Sequence, residues 1–316
     1  MAQIKALTAQ GCEIVRLAVN DARAAAAFGQ IRQKAADVPL IADIHFDHRL
    51  ALAAIEAGAD KIRINPGNIG DGDGIKAVAD MANKRGIPIR IGVNGGSLEA
   101  DLLESYGVAA EALAQSALRN IKLLNDFDFD NVVVSIKASD VALTLKAHEI
   151  FAPQTDYPLN IGITEAGTLY SGIIKSCAGL AALLTRGIGD TVRISLTSDP
   201  VEEVRAAKEL LKALGLRSFG PQIVSCPTCG RCQVDLITIA NKVEGLIAHI
   251  KAPVKVAIMG CAVNGPGEAR ECDIGIAAGK GEGLLFKKGR VVRKVREKDI
   301  IAVLVDEIER IEREGL

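Results

Sequence analysis

Cysteine is the residue type whose placement in this 316-residue sequence most clearly suggests chemistry. Two of the seven cysteines stand alone, and the other five lie in one stretch near the C-terminus. A Cys-x-x-Cys pair, Cys226 and Cys229, is followed by Cys232 and later by Cys261 and Cys272. Such a pair presents two thiolates to one metal, and a third cysteine on a later loop can complete the site.

Three kinds of site compete for these cysteines. Structural zinc requires four tetrahedral ligands, a redox dithiol would use Cys226 and Cys229 alone, and an iron–sulfur cluster requires about four ligands, usually thiolates. Glycine and proline crowd both segments, which suits a cluster enclosed by backbone, and the second Cys-x-x-Cys pair of a zinc ribbon is missing. The spacing therefore favours an iron–sulfur cluster, with zinc and a redox dithiol as alternatives.

Basic residues form the second group. Four arginines and one lysine lie on apolar segments that we predict to be strands: Arg16, Arg63, Arg90, Arg193 and Lys137. Burying cations is costly unless anions neutralise them. Salt bridges to carboxylates would explain one of them, whereas five that converge favour a phosphate or diphosphate ligand, since guanidinium groups match phosphate oxygens.

His45 and Glu165 follow predicted strands and are the candidate acid–base groups beside these cations. A lone histidine is more often structural than catalytic, so the two readings of His45 are evenly balanced. His148 and His249 lie in helical stretches without a partner motif, and we interpret both as structural.

The elements that must position these residues alternate regularly. Short β-branched apolar runs are separated by Ala- and Leu-rich stretches, which predicts a parallel sheet with helices outside. The predicted strands are 13–19, 40–46, 61–65, 88–93, 132–137, 159–164 and 192–195. The clearest predicted helices are 49–57, 111–126, 140–150, 168–186 and 200–214.

A (β/α)8 TIM-type barrel and an open doubly wound sheet both fit this alternation. Charged or polar residues end nearly every strand, which favours a barrel because its strand ends surround one mouth. No strand is followed by a GxGxxG fingerprint or a P-loop. The count reaches seven strands and the sequence opens in a helical stretch at 2–10, so we predict an α/β barrel whose first strand is missing.

The alternation stops near Gly220-Pro221, which predicts a domain boundary. We expect a barrel domain over residues 1–219 and a small α/β domain over 220–316. The second domain is predicted to contain a helix at 235–250, a strand at 254–259, a hairpin at 283–295 and a final helix at 298–313.

Composition narrows the range of partners. The net charge is −1 and aromatic residues make up 3%, which argues against nucleic acid as a partner. No apolar run approaches the ~18 residues of a membrane span, and the N-terminus lacks the layout of a signal peptide. We therefore expect a cytoplasmic protein without a nucleic-acid or membrane partner.

Several long motifs resemble the 4-hydroxy-3-methylbut-2-enyl diphosphate synthase family, the iron–sulfur enzymes of the methylerythritol phosphate route to isoprenoids. The resemblance extends over essentially the whole chain. The segments that carry it are 11–16, 42–47, 63–70, 90–94, 162–167, 226–231 and 259–269.

The resemblance implies a (β/α)8 barrel followed by a [4Fe–4S] domain. It implies reductive ring opening of 2-C-methyl-D-erythritol 2,4-cyclodiphosphate, with electrons from reduced flavodoxin or ferredoxin, in a homodimer. By resemblance, the cluster ligands are Cys226, Cys229, Cys261 and Glu268. The diphosphate-binding residues implied are Arg16, His45, Arg63, Arg90, Asn94, Lys137, Arg193 and Ser195. Glu165 matches the family's acid–base carboxylate, and Glu268 would act in catalysis as the ligand that can leave.

Two features depart from the family. Cys232 and Cys272 stand where the family usually has other residues, so the resemblance assigns them no ligand role. The family also has some tens of residues before Ala2, from which we predict that Met1 is not the native start and that a longer form would be more stable. Two alternatives remain: a non-catalytic cluster- or zinc-binding protein, because of this truncation, and a phosphate-binding barrel of the pterin-synthase type.

Overall fold

The computed structural model describes residues 1–65, 69, 72–261, 267 and 269–315. The chain divides into two compact units, Met1–Leu210 and Leu211–Leu316. We describe each unit by itself.

The first unit is built of alternating strands and helices. Its strands are β1 (Val15–Ala18), β2 (Leu40–Asp43), β3 (Lys61–Ile64), β4 (Ile89–Asn94), β5 (Val132–Lys137), β6 (Asn160–Ile161) and β7 (Thr191–Val192). Its helices are α1 (Ala2–Ala9), α2 (Ala22–Lys34), α3 (His48–Glu56), α4 (Gly72–Arg85), α5 (Ala100–Tyr106), α6 (Ala110–Asn125), α7 (Val141–Phe151), α8 (Leu169–Leu184) and α9 (Pro200–Ala213).

Every strand predicted for this unit is present, and most are shorter than predicted. The strands run parallel and follow chain order, β1-β2-β3-β4-β5 in one sheet and β6-β7 in a second. A parallel bridge between Val134 and Leu159 connects β5 to the β6 segment. Within the residues described, no ladder joins β7 to β1. This order, with a helix after each strand, is that of the predicted barrel.

Alternation along a strand separates the packing face from the functional face. In β3, Ile62 and Ile64 are fully buried, whereas Lys61 and Arg63 lie on the other face and are half-buried. Successive side chains of a strand point to opposite faces, so one face packs on helices while the other presents cations.

Aspartate caps fix the helices that follow the strand ends. The side chain of Asp47 accepts a hydrogen bond from the backbone N–H of Arg49 at 2.9 Å, and that of Asp140 accepts one from Leu143 at 2.7 Å. Such caps satisfy amides that have no partner in the first helical turn. They hold the loops after β2 and β5. The first of these loops carries His45, and the second follows Lys137.

The second unit is a five-stranded sheet of order β12-β11-β10-β9-β8. Its strands are β8 (Gln222–Ser225), β9 (Lys255–Met259), β10 (Ile274–Ala278), β11 (Glu282–Lys287) and β12 (Arg290–Arg296), and its helices are α10 (Leu236–Ile247) and α11 (Ile300–Glu314). Strands β8, β9 and β10 pair in parallel, and β10, β11 and β12 pair antiparallel.

The predicted hairpin, β9 and both helices are present in this unit, but β8 and β10 were not predicted. The sequence of β10, Ile-Gly-Ile-Ala-Ala, is central to the sheet even though its small residues have little strand preference. A Cβ at Gly275 would lie 2.5 Å from the ring of Phe286 on β11, so a phenylalanine fills the space that the glycine leaves.

Helices α10 and α11 bury one face of this sheet. Leu236 and Val243 from α10 and Leu304 from α11 share one core with Val256 and Ile276. A second, smaller core consists of Ala257, Met259, Ala269, Cys272, Ala277 and Phe286. In neither unit, among the residues described, does a helix combine the length and apolar character needed to cross a bilayer.

Candidate active site and metal centre

A buried carboxylate organises the first half of the cation group. Asp43, at the end of β2, is 5% exposed. Its Oδ2 lies 3.4 Å from Nε of Arg16 and 3.7 Å from Nε2 of His45, and its Oδ1 lies 3.2 Å from Nη1 of Arg63. One carboxylate therefore contacts three basic side chains, which come from β1, from the loop after β2 and from β3.

A neutral amide organises the second half. Oδ1 of Asn160, on β6, accepts hydrogen bonds from Nη1 of Arg90 and from Nζ of Lys137, each at 3.1 Å. Nδ2 of the same side chain donates to Oγ1 of Thr191 on β7 at 2.9 Å. Strands β4 to β7 thus meet at Asn160.

Two glycines make room for this packing. A Cβ at Gly92 would lie 2.5 Å from Nε of Arg63, so the guanidinium crosses directly over the backbone of β4. A Cβ at Gly162 would lie 2.3 Å from the carbonyl oxygen of Arg193 and 3.1 Å from Nζ of Lys137. Glycine is required at residue 162 because the nearest neighbour is rigid backbone, and a side chain at residue 92 would displace the Arg63 guanidinium from its position.

The remaining predicted binding residues lie around this group. Nε of Arg193 is 3.9 Å from Oε2 of Glu203, and its side chain is 40% exposed. Asn94 is half-buried and is the register partner of Lys137 on the adjacent strand. Ser195 is half-buried in the loop after β7. The structure therefore places Asn94 beside the cations, and the roles of Asn94 and Ser195 stay predictions.

Positive charge exceeds negative charge in this group. Burial, followed by repulsion from Arg16 and Arg63, lowers the pKa of Arg90 to about 9. Burial and then Arg90 lower the pKa of Lys137 well below its usual 10.5. Nε of Arg90 is buried without a hydrogen-bond partner in the described chain. Salt bridges therefore satisfy part of the group, as the alternative interpretation expected, and among the residues that the structure describes Arg90 and Lys137 have no carboxylate partner.

The two candidate acid–base residues have different surroundings. Nδ1 of His45 lies 3.2 Å from Oδ1 of Asn20, and its Nε2 lies 3.7 Å from Oδ2 of Asp43, so each ring nitrogen faces an oxygen. Glu165 is exposed and has a backbone φ of +52°, in the left-handed region that few non-glycine residues adopt. Unusual backbone of this kind clusters at functional sites.

In the second unit, two cysteine segments meet at one sheet edge. Cys226 directly follows β8, and Cys261 lies two residues beyond β9. The two strands pair in parallel, with Ser225 opposite Ile258, so both cysteines are at the carboxyl edge. The backbone N–H of Gly260 donates a hydrogen bond to Sγ of Cys226 at 3.3 Å. Hydrogen bonds from backbone amides to sulfur are typical of iron–sulfur ligands.

Cys229 lies in the exposed stretch that follows Cys226. Hydrogen bonds from the backbone and side chain of Arg231 lower the pKa of its thiol. A lowered pKa favours the thiolate, the form that binds metal. Cys229 therefore combines access to solvent with a thiol that loses its proton more readily than an ordinary cysteine.

Cys232 and Cys272 differ from these three. The thiol of Cys232 donates a hydrogen bond to the carbonyl oxygen of Val234 at 3.3 Å. Cys272 is 5% exposed in the small core, and burial raises the pKa of its thiol. Both are therefore better explained as packed thiols than as ligands.

The donor set is suited to a thiolate-bound cluster but does not converge on one point. Within the described part of the chain, no three histidine, cysteine or carboxylate side chains form a group placed to hold a metal ion. Glu268, the predicted fourth ligand and catalytic carboxylate, lies outside the described residues. Cys226, Cys229 and Cys261 supply soft ligands on a backbone-lined edge, and these fit an iron–sulfur cluster.

Sequence reasoning missed two organising residues. In the sequence, Asp43 is one of many polar residues that end predicted strands, and its contacts with three bases depend on the tertiary fold. Asn160 was not noted at all. The sequence does contain one signal for Asn160: its amide lies within the apolar run Leu-Asn-Ile-Gly-Ile. A polar group buried in such a run needs hydrogen-bond partners.

Comparison with known proteins agrees with the fold and with the resemblance. Residues 1–208 match the family described as GcpE TIM-barrel domain, and residues 222–310 match GcpE protein C-terminal domain. The first match confirms the α/β TIM-type barrel that the strand order predicts. Among solved structures, a dihydropteroate synthase of Xanthomonas albilineans has 14% identity and a TM-score of 0.46, over 68% of this chain and 84% of that chain.

Curated relatives match over nearly the full chain. The 4-hydroxy-3-methylbut-2-en-1-yl diphosphate synthase (flavodoxin) of Anoxybacillus flavithermus is 57% identical over 315 residues, which are 99% of this chain and 86% of that protein. The protein of the same name from Bacillus cytotoxicus is 59% identical over 310 residues, 98% of this chain and 84% of that protein. The chain therefore belongs to the GcpE family, the family of the 4-hydroxy-3-methylbut-2-en-1-yl diphosphate synthases.

Proposed function

We propose that this chain converts 2-C-methyl-D-erythritol 2,4-cyclodiphosphate into 4-hydroxy-3-methylbut-2-enyl diphosphate by a two-electron reduction that opens the ring and releases one oxygen as water. The observation that carries the proposal is the identity of 57–59% with synthases of that name over at least 98% of the chain. The excess of buried positive charge in the first unit supports a diphosphate substrate independently.

The cations would bind the diphosphate and also favour ring opening. When the ring opens, a carbon–oxygen bond to phosphate breaks and the diphosphate gains one negative charge. Arg16, Arg63, Arg90, Lys137 and Arg193 would stabilise that charge as it develops, and interactions that strengthen toward the transition state accelerate the reaction. His45, Asn94 and Ser195 would add hydrogen bonds that fix the orientation of the substrate.

Asp43 and Asn160 would act through these cations. Both hold basic side chains in place before any ligand arrives. Preorganised charge costs no reorganisation during the reaction. Glu165, with its exposed carboxylate, would hold the proton that leaves with the substrate oxygen as water.

A [4Fe–4S] cluster would be held by Cys226, Cys229, Cys261 and Glu268. When bound, it would supply the two electrons and a Lewis-acidic iron. Glu268 would be the weaker and harder ligand of the four, which is the role in catalysis that we propose for it. The relatives' names give flavodoxin as the electron donor, and we propose reduced flavodoxin or ferredoxin as donor here and a homodimer as the assembly.

The proposal is tested with anaerobically reconstituted protein, the cyclodiphosphate and an artificial reductant. We expect a brown protein that forms the linear diphosphate, with reduced flavodoxin able to replace the artificial donor. A colourless protein that binds zinc, whose filled d shell does not absorb visible light, and that forms no product would favour the non-catalytic alternative.

A further inference from the structure

Asn160 occupies a position from which one side chain can control two cations. It is 6% exposed and begins the short strand β6. Its Oδ1 accepts from Arg90 and Lys137 at 3.1 Å each, and its Nδ2 donates to Thr191 at 2.9 Å. Arg90 is itself 5% exposed, and its Nε has no hydrogen-bond partner among the described residues.

The direction of the amide follows from its partners. Arginine and lysine side chains are donors only, so the atom between them must be the oxygen. The hydroxyl of Thr191 can accept, which satisfies the NH2 group on the other side. The amide therefore has one favourable orientation, and Thr191 stabilises it.

A contrast with Asp43 shows what a neutral partner achieves. Asp43 contacts Arg16 and Arg63 with a charged group and neutralises part of their charge. In the part of the chain that the structure describes, Arg90 and Lys137 form no ion pair. Their hydrogen bonds to Asn160 orient them while their positive charge stays uncompensated.

We infer that Asn160 is a positioning residue that orients Arg90 and Lys137 for an anionic group of the substrate without neutralising them. The inference rests on the proposed function, because that function identifies the anion as a diphosphate. A carboxylate at residue 160 would accept the same hydrogen bonds, but it would repel the anion. The side chain at residue 160 must therefore be neutral as well as of the right shape.

The variant that separates charge from shape is Asn160→Asp, which keeps the size of the side chain. The reconstituted enzyme is titrated with inorganic diphosphate in a calorimeter, and kcat and KM are measured with the cyclodiphosphate. We expect Kd and KM to rise by about 10-fold or more, with kcat changed much less. Asn241→Asp adds the same charge at an exposed position of α10 and should leave all three values unchanged.

Asn160→Leu provides the second comparison, since it removes the acceptor without adding charge. We expect its diphosphate Kd to lie between those of the wild type and Asn160→Asp, and high salt should narrow the gap between the variants. A Kd for Asn160→Asp equal to or lower than that for Asn160→Leu would overturn the inference. If Asn160→Asp does not fold, Thr191→Val decides: a Kd raised about threefold supports the inference, and an unchanged Kd overturns it.

The same measurements separate this inference from the proposed function. A wild type that turns over cyclodiphosphate, with Asn160→Asp binding diphosphate equally well, would refute only the role of Asn160. A wild type that binds diphosphate with the expected ranking of variants, but forms no product, would refute only the proposed reaction.

Discussion

Both candidate sites are built on parallel strands, but they are prepared to different degrees. In the first unit, basic residues on neighbouring parallel strands are held by Asp43 and Asn160. In the second unit, Cys226 and Cys261 follow parallel strands, but in the part of the chain that the structure describes the cysteines do not converge on one metal position.

The difference follows from the chemistry of each ligand group. Cations can be oriented by a carboxylate or an amide of the protein itself, so the anion site can form before the anion binds. Thiolates repel one another and gain their partner only when metal arrives, so metal binding and local ordering are coupled. We therefore expect substitutions at the cysteines to abolish their site and substitutions at the cations to weaken theirs.

The largest effect is expected at the cysteine edge. Cys226→Ser should lose most of the iron and essentially all turnover, because three remaining ligands hold a cluster poorly. Cys232→Ser is the matched control, since its thiol donates to Val234 and a hydroxyl can make the same bond. Iron and sulfide content after anaerobic reconstitution measures the outcome. Equal iron in the two variants would remove the distinction between ligand and packed thiol.

An intermediate effect is expected among the cations. Arg90→Met removes one of the two donors to Asn160 and one positive charge, and should weaken substrate binding by about 2–4 kcal/mol. The iron content should stay at the wild-type level, because the change affects only the anion site. Steady-state kinetics and an iron assay on the same preparation measure both.

Arg119→Met is the control for this substitution. Arg119 pairs with Asp101 on an exposed surface, and exposed ion pairs contribute little to stability. Wild-type kcat and KM in Arg90→Met would show that the buried cations do not bind the substrate.

Sequence reasoning identified the cations, whose burial costs much free energy. It missed a strand of small residues, whose burial costs little. Cations on apolar strands stand out, so Arg63, Arg90 and Lys137 were found from the sequence. The parallel strands of the first unit were found because they are continuous apolar runs. Strand β10 was missed because its alanines and glycine resemble a loop, and the need for the glycine becomes clear only from the packing of Phe286 and Ala257 against it.

The organising residues were harder to predict for a different reason. One aspartate and one asparagine among many polar residues carry no local signal of importance. The role of Asp43 arises from its register with Arg63 on the adjacent strand, and that of Asn160 from strands 70 and 23 residues away along the chain. Such pairings are determined by the tertiary fold and cannot be deduced from spacing.

The smallest expected effect concerns the pH dependence of stability without ligand. The pKa of Lys137 is lowered well below 10.5 in the folded chain, mainly by burial and then by Arg90. Between the lowered value and 10.5, the unfolded chain binds more protons than the folded chain. Stability should therefore rise with pH across that window, by up to about 1.4 kcal/mol per pH unit from this group.

Inorganic diphosphate should reverse this trend. The anion favours the charged lysine, so the stabilisation that it provides should be largest at low pH and decrease as the lysine loses its proton. Thermal unfolding at several pH values, with and without diphosphate, measures both slopes. Lys137→Met should flatten both, because the group that titrates is then missing. A wild type and a variant with the same two slopes would show that Lys137 stays charged in the folded protein, and that Asn160 and the surrounding dipoles solvate it as well as water does.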